Sequence, residues 1–279
     1  MSAIFVFDDF SKNAKDIMKD EYSTDNKVTA KINCGKAKVT AESKGTSEMT
    51  NKLQVAYEPI KQVNLKKISL DNKGIFVAEI DVPKLLKNTT FTYRGEHDLV
   101  NKSSKKAEVG FKVVTPSAAT ECNFDVNKNC YKATTVYNTK YGLVGLKAVG
   151  CLKEEKALKT IDVAYRRECG NYAVALETNE MFKSAFASLY CTPYSNVKVG
   201  ATATLPLKDT KKPSVEFGVA VKPNQDQEWR AKVTNDGKVT AVWKNSIEDR
   251  VTVSATCQLD SKNLTSGKHT VAAAVEFKF

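Results

Sequence analysis

Histidine is nearly missing from this chain: His97 and His269 are the only two in 279 residues. With so little imidazole, neither a histidine-based metal site nor a nucleophile–histidine pair has material to work with. Seven cysteines, Cys34, Cys122, Cys130, Cys151, Cys169, Cys191 and Cys257, are scattered without CxxC spacing. An odd, dispersed count speaks against a disulfide framework and predicts small packing residues on strands. Long apolar runs are missing as well. No stretch approaches the roughly 18 uncharged apolar residues of a spanning helix. Ala3 to Phe7 is too short for a secretory leader and runs straight into Asp8 and Asp9. No acid, base and nucleophile set assembles from motifs, so no enzyme is expected and no cofactor is called for.

What the chain has instead is alternation. From Arg250 to Leu259, Val251, Val253, Ala255, Cys257 and Leu259 alternate without a break with polar residues. Ten residues is the span of a tilted membrane-crossing strand, about 9 to 11. Trp229, Ala231 and Val233 oppose Arg230, Lys232 and Thr234, and Asn235-Asp236-Gly237 then signals a hairpin turn. In the last stretch, Val271, Ala273, Val275, Phe277 and Phe279 share one face, while Thr270, Glu276 and Lys278 share the other. A mean hydropathy of -0.38 does not exclude a membrane barrel, because lumen-facing residues lower the average.

Near the start the period changes. Phe7, Phe10, Ala14, Ile17 and Met18 follow helical spacing, with Lys12, Lys15 and Lys19 set apart, which predicts an amphipathic helix over 7–18. Asp8, Asp9 and Asp16 speak against a transit peptide.

These features resemble the eukaryotic mitochondrial porin family, the voltage-dependent anion channels. The resemblance rests on Asp9 to Ile17, on Ala231-Lys232-Val233, on Leu259 to Asn263, on Gly267-Lys268-His269 and on Glu276-Phe277. It implies an all-β transmembrane up-and-down β-barrel with an N-terminal α-helix inside the lumen. Residues 1–26 would then be helix and linker, and 27–279 the barrel. With the family pattern guiding the weaker segments, nineteen strands are expected. The first runs over 27–34, the fourth over 62–70, the fifth over 73–82, the thirteenth over 181–190 and the last over 269–279. Pro83 and Pro193 are expected in turns. An open sheet in lipid would leave unpaired backbone edges, so it must close. An odd strand number makes the first and last strands meet in parallel.

The resemblance also assigns residues. Thr270, Ala272, Val275 and Phe277 occupy the places of the family's C-terminal sorting signal, with Ala272 where that pattern has glycine. This implies recognition by outer-membrane insertion machinery. Gly145-Leu146-Lys147 matches a short element linked to nucleotide contact, but three residues recur easily by chance and a turn entering a strand is the plainer reading. The family's glycine-rich linker is replaced by glycine-free Asp20 to Asn26, which argues against a supple helix joint.

The formal charge of +11 points to anions. Lys12, Lys15 and Lys19 on the helix, with Lys31, Lys36, Lys38, Lys112, Arg230, Lys232 and Lys238 on the wall, are the expected pore-lining cations. The reading is a voltage-dependent anion-selective channel of the mitochondrial outer membrane. Its partners would be membrane lipid and small anionic metabolites and nucleotides in transit, with homo-oligomerisation or association with a larger mitochondrial assembly left open and no nucleic acid. A protein-translocating pore of the same superfamily and a soluble basic β-barrel binding an anionic ligand are the alternatives.

Overall fold

The computed structural model describes residues 5–19, 22–46, 48–60, 63–154, 157–208, 212–263 and 269–279. Those residues form nineteen strands, from β1 (Asn26–Cys34) and β2 (Ala37–Gly45) to β18 (Val251–Asp260) and β19 (Thr270–Lys278). Consecutive strands pair antiparallel around the whole circuit. The ring closes where β1 runs parallel to β19, with Lys27 opposite Ala274 and Lys31 opposite Lys278. The C-terminal residue is held in this seam: the Phe279 amide donates to the Lys31 carbonyl at 2.8 Å, and the Asn33 amide to the Phe279 carbonyl at 3.0 Å. Closure leaves no sheet edge, which satisfies the ladder groups in an apolar surround. The Gly267-Lys268 part of the expected closing segment, and Asp20-Glu21 of the linker, lie outside the described residues.

Alternation divides each strand between two faces. Leu53, Leu176, Leu189, Phe217, Trp229 and Val271 all point outward and are 43–76% exposed. An exposed apolar belt of this extent belongs against lipid. Trp229 of β16 (Gln227–Thr234) sits opposite Trp243 of β17 (Lys238–Ile247) on this face. The hairpin predicted at Asn235-Asp236-Gly237 forms, with Gly237 at φ +91° and its amide on the Thr234 carbonyl at 2.9 Å.

Two expectations fail. Pro83 and Pro193 lie inside β5 (Ile75–Leu86) and β13 (Ser184–Tyr194), not in turns, so both strands run about four residues further than predicted. The register shifts at Pro83/Leu86 and at Cys191/Tyr194. Pro193 falls between the paired Cys191 and Tyr194, outside the ladder, where a missing N–H costs nothing, and Pro83 is the last residue paired, with Thr90, before its shift. The cysteines also differ from the reading. Cys130, first residue of β9 (Cys130–Thr139), faces Cys151, last of β10 (Gly142–Cys151), and the pair is a disulfide. Their partnership is set by hairpin register, which cysteine spacing does not reveal. The other five cysteines are free.

Candidate functional site

The inner face is identified by the N-terminal segment packed against it. A 3-10 turn at Phe7–Asp9 leads into α1 (Lys12–Lys19). The predicted single helix is thus broken at Phe10-Ser11. Arg166, on β11 (Leu158–Cys169) and 1% exposed, donates to the carbonyls of Phe10 and Asp9, the latter at 3.2 Å. Those carbonyls are satisfied by the wall. An eight-residue helix is marginal alone. Tertiary packing therefore holds it.

Phe7 and Phe10 stack with centroids 5.8 Å apart and bury against Val136, Leu143, Ala164 and Ala175. Gly145 lies directly beneath, where a Cβ would come within 2.8 Å of Phe7 and 3.2 Å of Phe10. Further along, Ile17 and Met18 rest on Gly200 of β14 (Val197–Pro206) and Gly218 of β15 (Ser214–Val221), which face each other in register. Full burial of each large apolar side chain contributes about 1.5–3 kcal/mol. Small wall residues let the helix come close enough to gain it.

Polar contacts fix both ends. The Ser11 hydroxyl donates to Glu177, which also pairs with Lys15 at 3.6 Å. At the other end, Lys232 donates to the Met18 carbonyl at 2.8 Å and Arg230 to the Asp16 carbonyl at 3.2 Å. Cations at a helix C-terminus satisfy its orphan carbonyls and oppose its dipole.

The expected residues fall in several places. Lys12 is mostly exposed and pairs with Asp9 at 3.6 Å; Lys15 also lies over the Phe186 ring. Lys19 borders a cavity of about 620 Å³ between the helix end and the wall of β1, β2 and β16 to β19. Lys31 faces inward and pairs with Glu276 across the seam at 2.7 Å. Lys36 lies in the β1–β2 turn, on the Pro59 carbonyl at 3.3 Å, while Lys38 is exposed on the inner face. Lys112, on β7 (Ser103–Val114), faces inward opposite Glu121. Arg230 and Lys232 are engaged with the helix, and Lys238 pairs with Asp236 at 3.3 Å.

In the Gly145-Leu146-Lys147 element, Leu146 points outward. Lys147 points inward to Asp162 at 3.5 Å and over the Phe7 ring at 5.6 Å. Thr270 and Ala272 are on the inner face, and Val275 and Phe277 on the outer. Among the described residues, no group of His, Cys, Asp or Glu is arranged to hold a metal ion.

Apart from Glu276, the inward acids were not among the residues that the sequence singled out. Glu42, Asp162, Glu177, Glu228 and Glu276 all share the inner face and pair with basic neighbours. Their signal was present as charges on the polar side of the alternation. The net +11 is consequently not the charge of the bore. Much of the excess sits in turns, with Lys73, Lys102, Lys128, Lys153 and Lys262 ringing a single end of the barrel. A basic rim of this kind raises the local concentration of anions at the mouth.

A closed barrel of this width is not filled by its own side chains. Helix and wall together leave a polar, water-accessible interior inside an apolar shell, which is the geometry of a pore.

No curated protein sequence matches this chain. Among solved structures, two mutants of the Rhodopseudomonas blastica porin are similar in fold, one with two introduced tryptophans and the other with two acids changed to alanine. They are 12% and 13% identical, with TM-scores of 0.53 and 0.52. The matches cover 82% and 81% of this chain and 90% and 89% of those. A structure described as asymmetric conductivity of engineered proteins matches with TM-score 0.51 at 11% identity, over 81% of this chain and 89% of that one. The family model described as eukaryotic porin matches residues 5–271. That match spans nearly the whole chain, and with the closed barrel it shows that the protein belongs to the eukaryotic porin family, a β-barrel pore of an outer membrane.

Proposed function

We propose that this pore is a voltage-dependent, anion-selective channel of the mitochondrial outer membrane, through which phosphate, ADP, ATP and other small anions diffuse passively. It catalyses no covalent step. The observation that carries the reading is the basic wall beside the helix. Lys27, Lys31, Lys44 and Lys244 surround the 620 Å³ cavity together with Lys19 and Arg230. A pore lined by basic side chains favours anions. The acids there, Asp25, Glu42 and Glu276, are held by Lys44 at 3.2 Å, by Lys27 at 2.8 Å and by Lys31 at 2.7 Å, so the bases remain in excess.

Lys12, Lys15, Lys19, Lys31, Lys38, Lys112, Arg230, Lys232 and Lys238 contribute to this field as a sum. The helix is fastened to the wall at both ends, so gating that moved it would require those fastenings to break. Reconstitution into planar bilayers under a salt gradient tests the proposal. A reversal potential on the chloride side is expected, and one on the potassium side rejects anion selectivity. Recovery of the native protein in carbonate-resistant membranes other than the mitochondrial outer membrane rejects the location.

A further inference from the structure

We propose that the bore carries anions and cations along different walls, and that an acid-bearing sector on strands β4 (Val63–Asp71) to β8 (Ala118–Asp125) holds down its anion preference. This deepens the channel reading and rests on it. The register around the ring sorts the inner face into three sectors. The N-terminal segment covers the first, from β9 through β11 and β12 (Tyr172–Asn179) to β16. From β17 through the seam to β3 (Thr50–Ile60), Lys27, Lys31, Lys38, Lys44, Lys52 and Lys244 face inward together with the acids Glu42 and Glu276, which Lys27 and Lys31 hold, so bases outnumber acids on this wall.

The remaining sector is where acids gather. Glu79 and Asp81 of β5, Glu96 and Asp98 of β6 (Thr89–Asp98), Glu108 of β7 and Glu121 of β8 share the inner face in register. Lys67, Arg94, Lys106 and Lys112 stand among them on the same face, Arg94 opposite both Glu79 and Glu108, so this wall is balanced in charge where the seam wall is basic. Lys67 pairs with Glu79 at 3.8 Å, Lys105 with Asp98 at 3.2 Å, and Lys106 with Glu108. Glu96 and Glu121 lie opposite Lys106 and Lys112 in register, yet neither has an ion-pair partner among the described residues. Glu121 accepts from the Asn123 side-chain amide at 2.8 Å.

Acidic groups on a pore wall pass cations and basic groups pass anions. At physiological salt a charge is screened beyond about 8 Å, so an ion near either wall responds to that wall and not to the total. The open space is bounded by both. Cations are therefore excluded less beside these carboxylates than beside the seam, and the chloride-to-potassium permeability ratio reports the competition between the sectors.

The test is the reversal potential of single channels under a potassium chloride gradient. In the Glu79→Gln, Glu96→Gln, Glu121→Gln triple variant, the chloride-to-potassium ratio is expected to rise about twofold or more. In Lys38→Gln, Lys52→Gln it is expected to fall. Spermine added to the wild-type channel gives a readout independent of any substitution. It is expected to gather at the carboxylates of this sector and raise the ratio. An unchanged ratio with spermine, or in a triple variant of normal conductance, overturns the proposal while leaving the anion channel intact. Absence of any wild-type conductance overturns both.

Discussion

The ammonium of Lys232 donates to the carbonyl of Met18 at 2.8 Å, joining residues 214 positions apart. Lys232 also lies over the Tyr22 ring at 4.7 Å, so one wall cation holds both the helix end and the start of the linker. At the opposite end, Arg166 binds the carbonyls that precede α1. The helix is spanned between two basic anchors of the same wall.

Arg166→Met is expected to destabilise the protein by about 1.5–3 kcal/mol, the worth of hydrogen bonds from a charged donor to carbonyls that then lack a partner. Lys232→Met is expected to cost less, because Lys232 is only partly buried. Thermal unfolding in detergent measures both. Increased open-channel noise in Arg166→Met reports release of the segment, and a trace as quiet as wild type speaks against the anchor.

Gly145→Val forces a side chain into the space of Phe7 and Phe10, which a Cβ would already approach to 2.8 and 3.2 Å. Overpacking of this kind costs about 1–3 kcal/mol. Displacement of the stacked pair also changes the bore, so single-channel conductance shifts with stability. Unchanged stability and conductance together would show that the pair is not seated on Gly145.

Leu189→Arg places a charge on the outer face in the middle of β13, where Leu189 is 43% exposed. In lipid this costs about 2–4 kcal/mol near the midplane. Unfolding titrations in vesicles read the difference. A change within experimental scatter would mean that this face does not meet hydrocarbon.

The Asp236 carboxyl is held below the usual carboxylate range, first by the Thr234 hydroxyl that donates to it and then by Lys238. A depressed value in the folded state means that the unfolded chain takes up the proton more readily. The contribution is thus fully present at neutral pH and lost as pH falls through the lowered value. Asp236 is largely exposed, so solvent screens the effect. Asp236→Asn is expected to flatten the acid side of the stability profile slightly, seen as unfolding midpoints that converge with wild type on acidification.

Cys130 and Cys151 close a loop with a separation of 21 residues. The Cys130→Ser, Cys151→Ser double variant is expected to lose up to about 3 kcal/mol by the chain-entropy argument. Thiol labelling of the unfolded wild type under non-reducing conditions should count five reactive cysteines, and labelling of all the cysteines would refute the pairing.

The strict two-residue alternation of Val251 to Leu259, the looser one of Val271 to Phe279, the helical spacing of Phe7 to Met18 and the Asn235-Asp236-Gly237 turn were legible in the sequence. Each is a local pattern, set by how one backbone geometry distributes its own side chains. That is also why strand positions were read closely while Pro83 and Pro193 were not: a bulge depends on the neighbouring strand. Only the closed barrel decided that Arg166 would meet Phe10, that Cys130 would meet Cys151, and that Glu96 and Glu121 would share a wall away from Lys38 and Lys52. Such partners are chosen by register and ring closure, which bring together residues that no local period relates. Composition alone predicted a basic interior; the fold sent much of that charge to the rim and left one wall basic and another balanced.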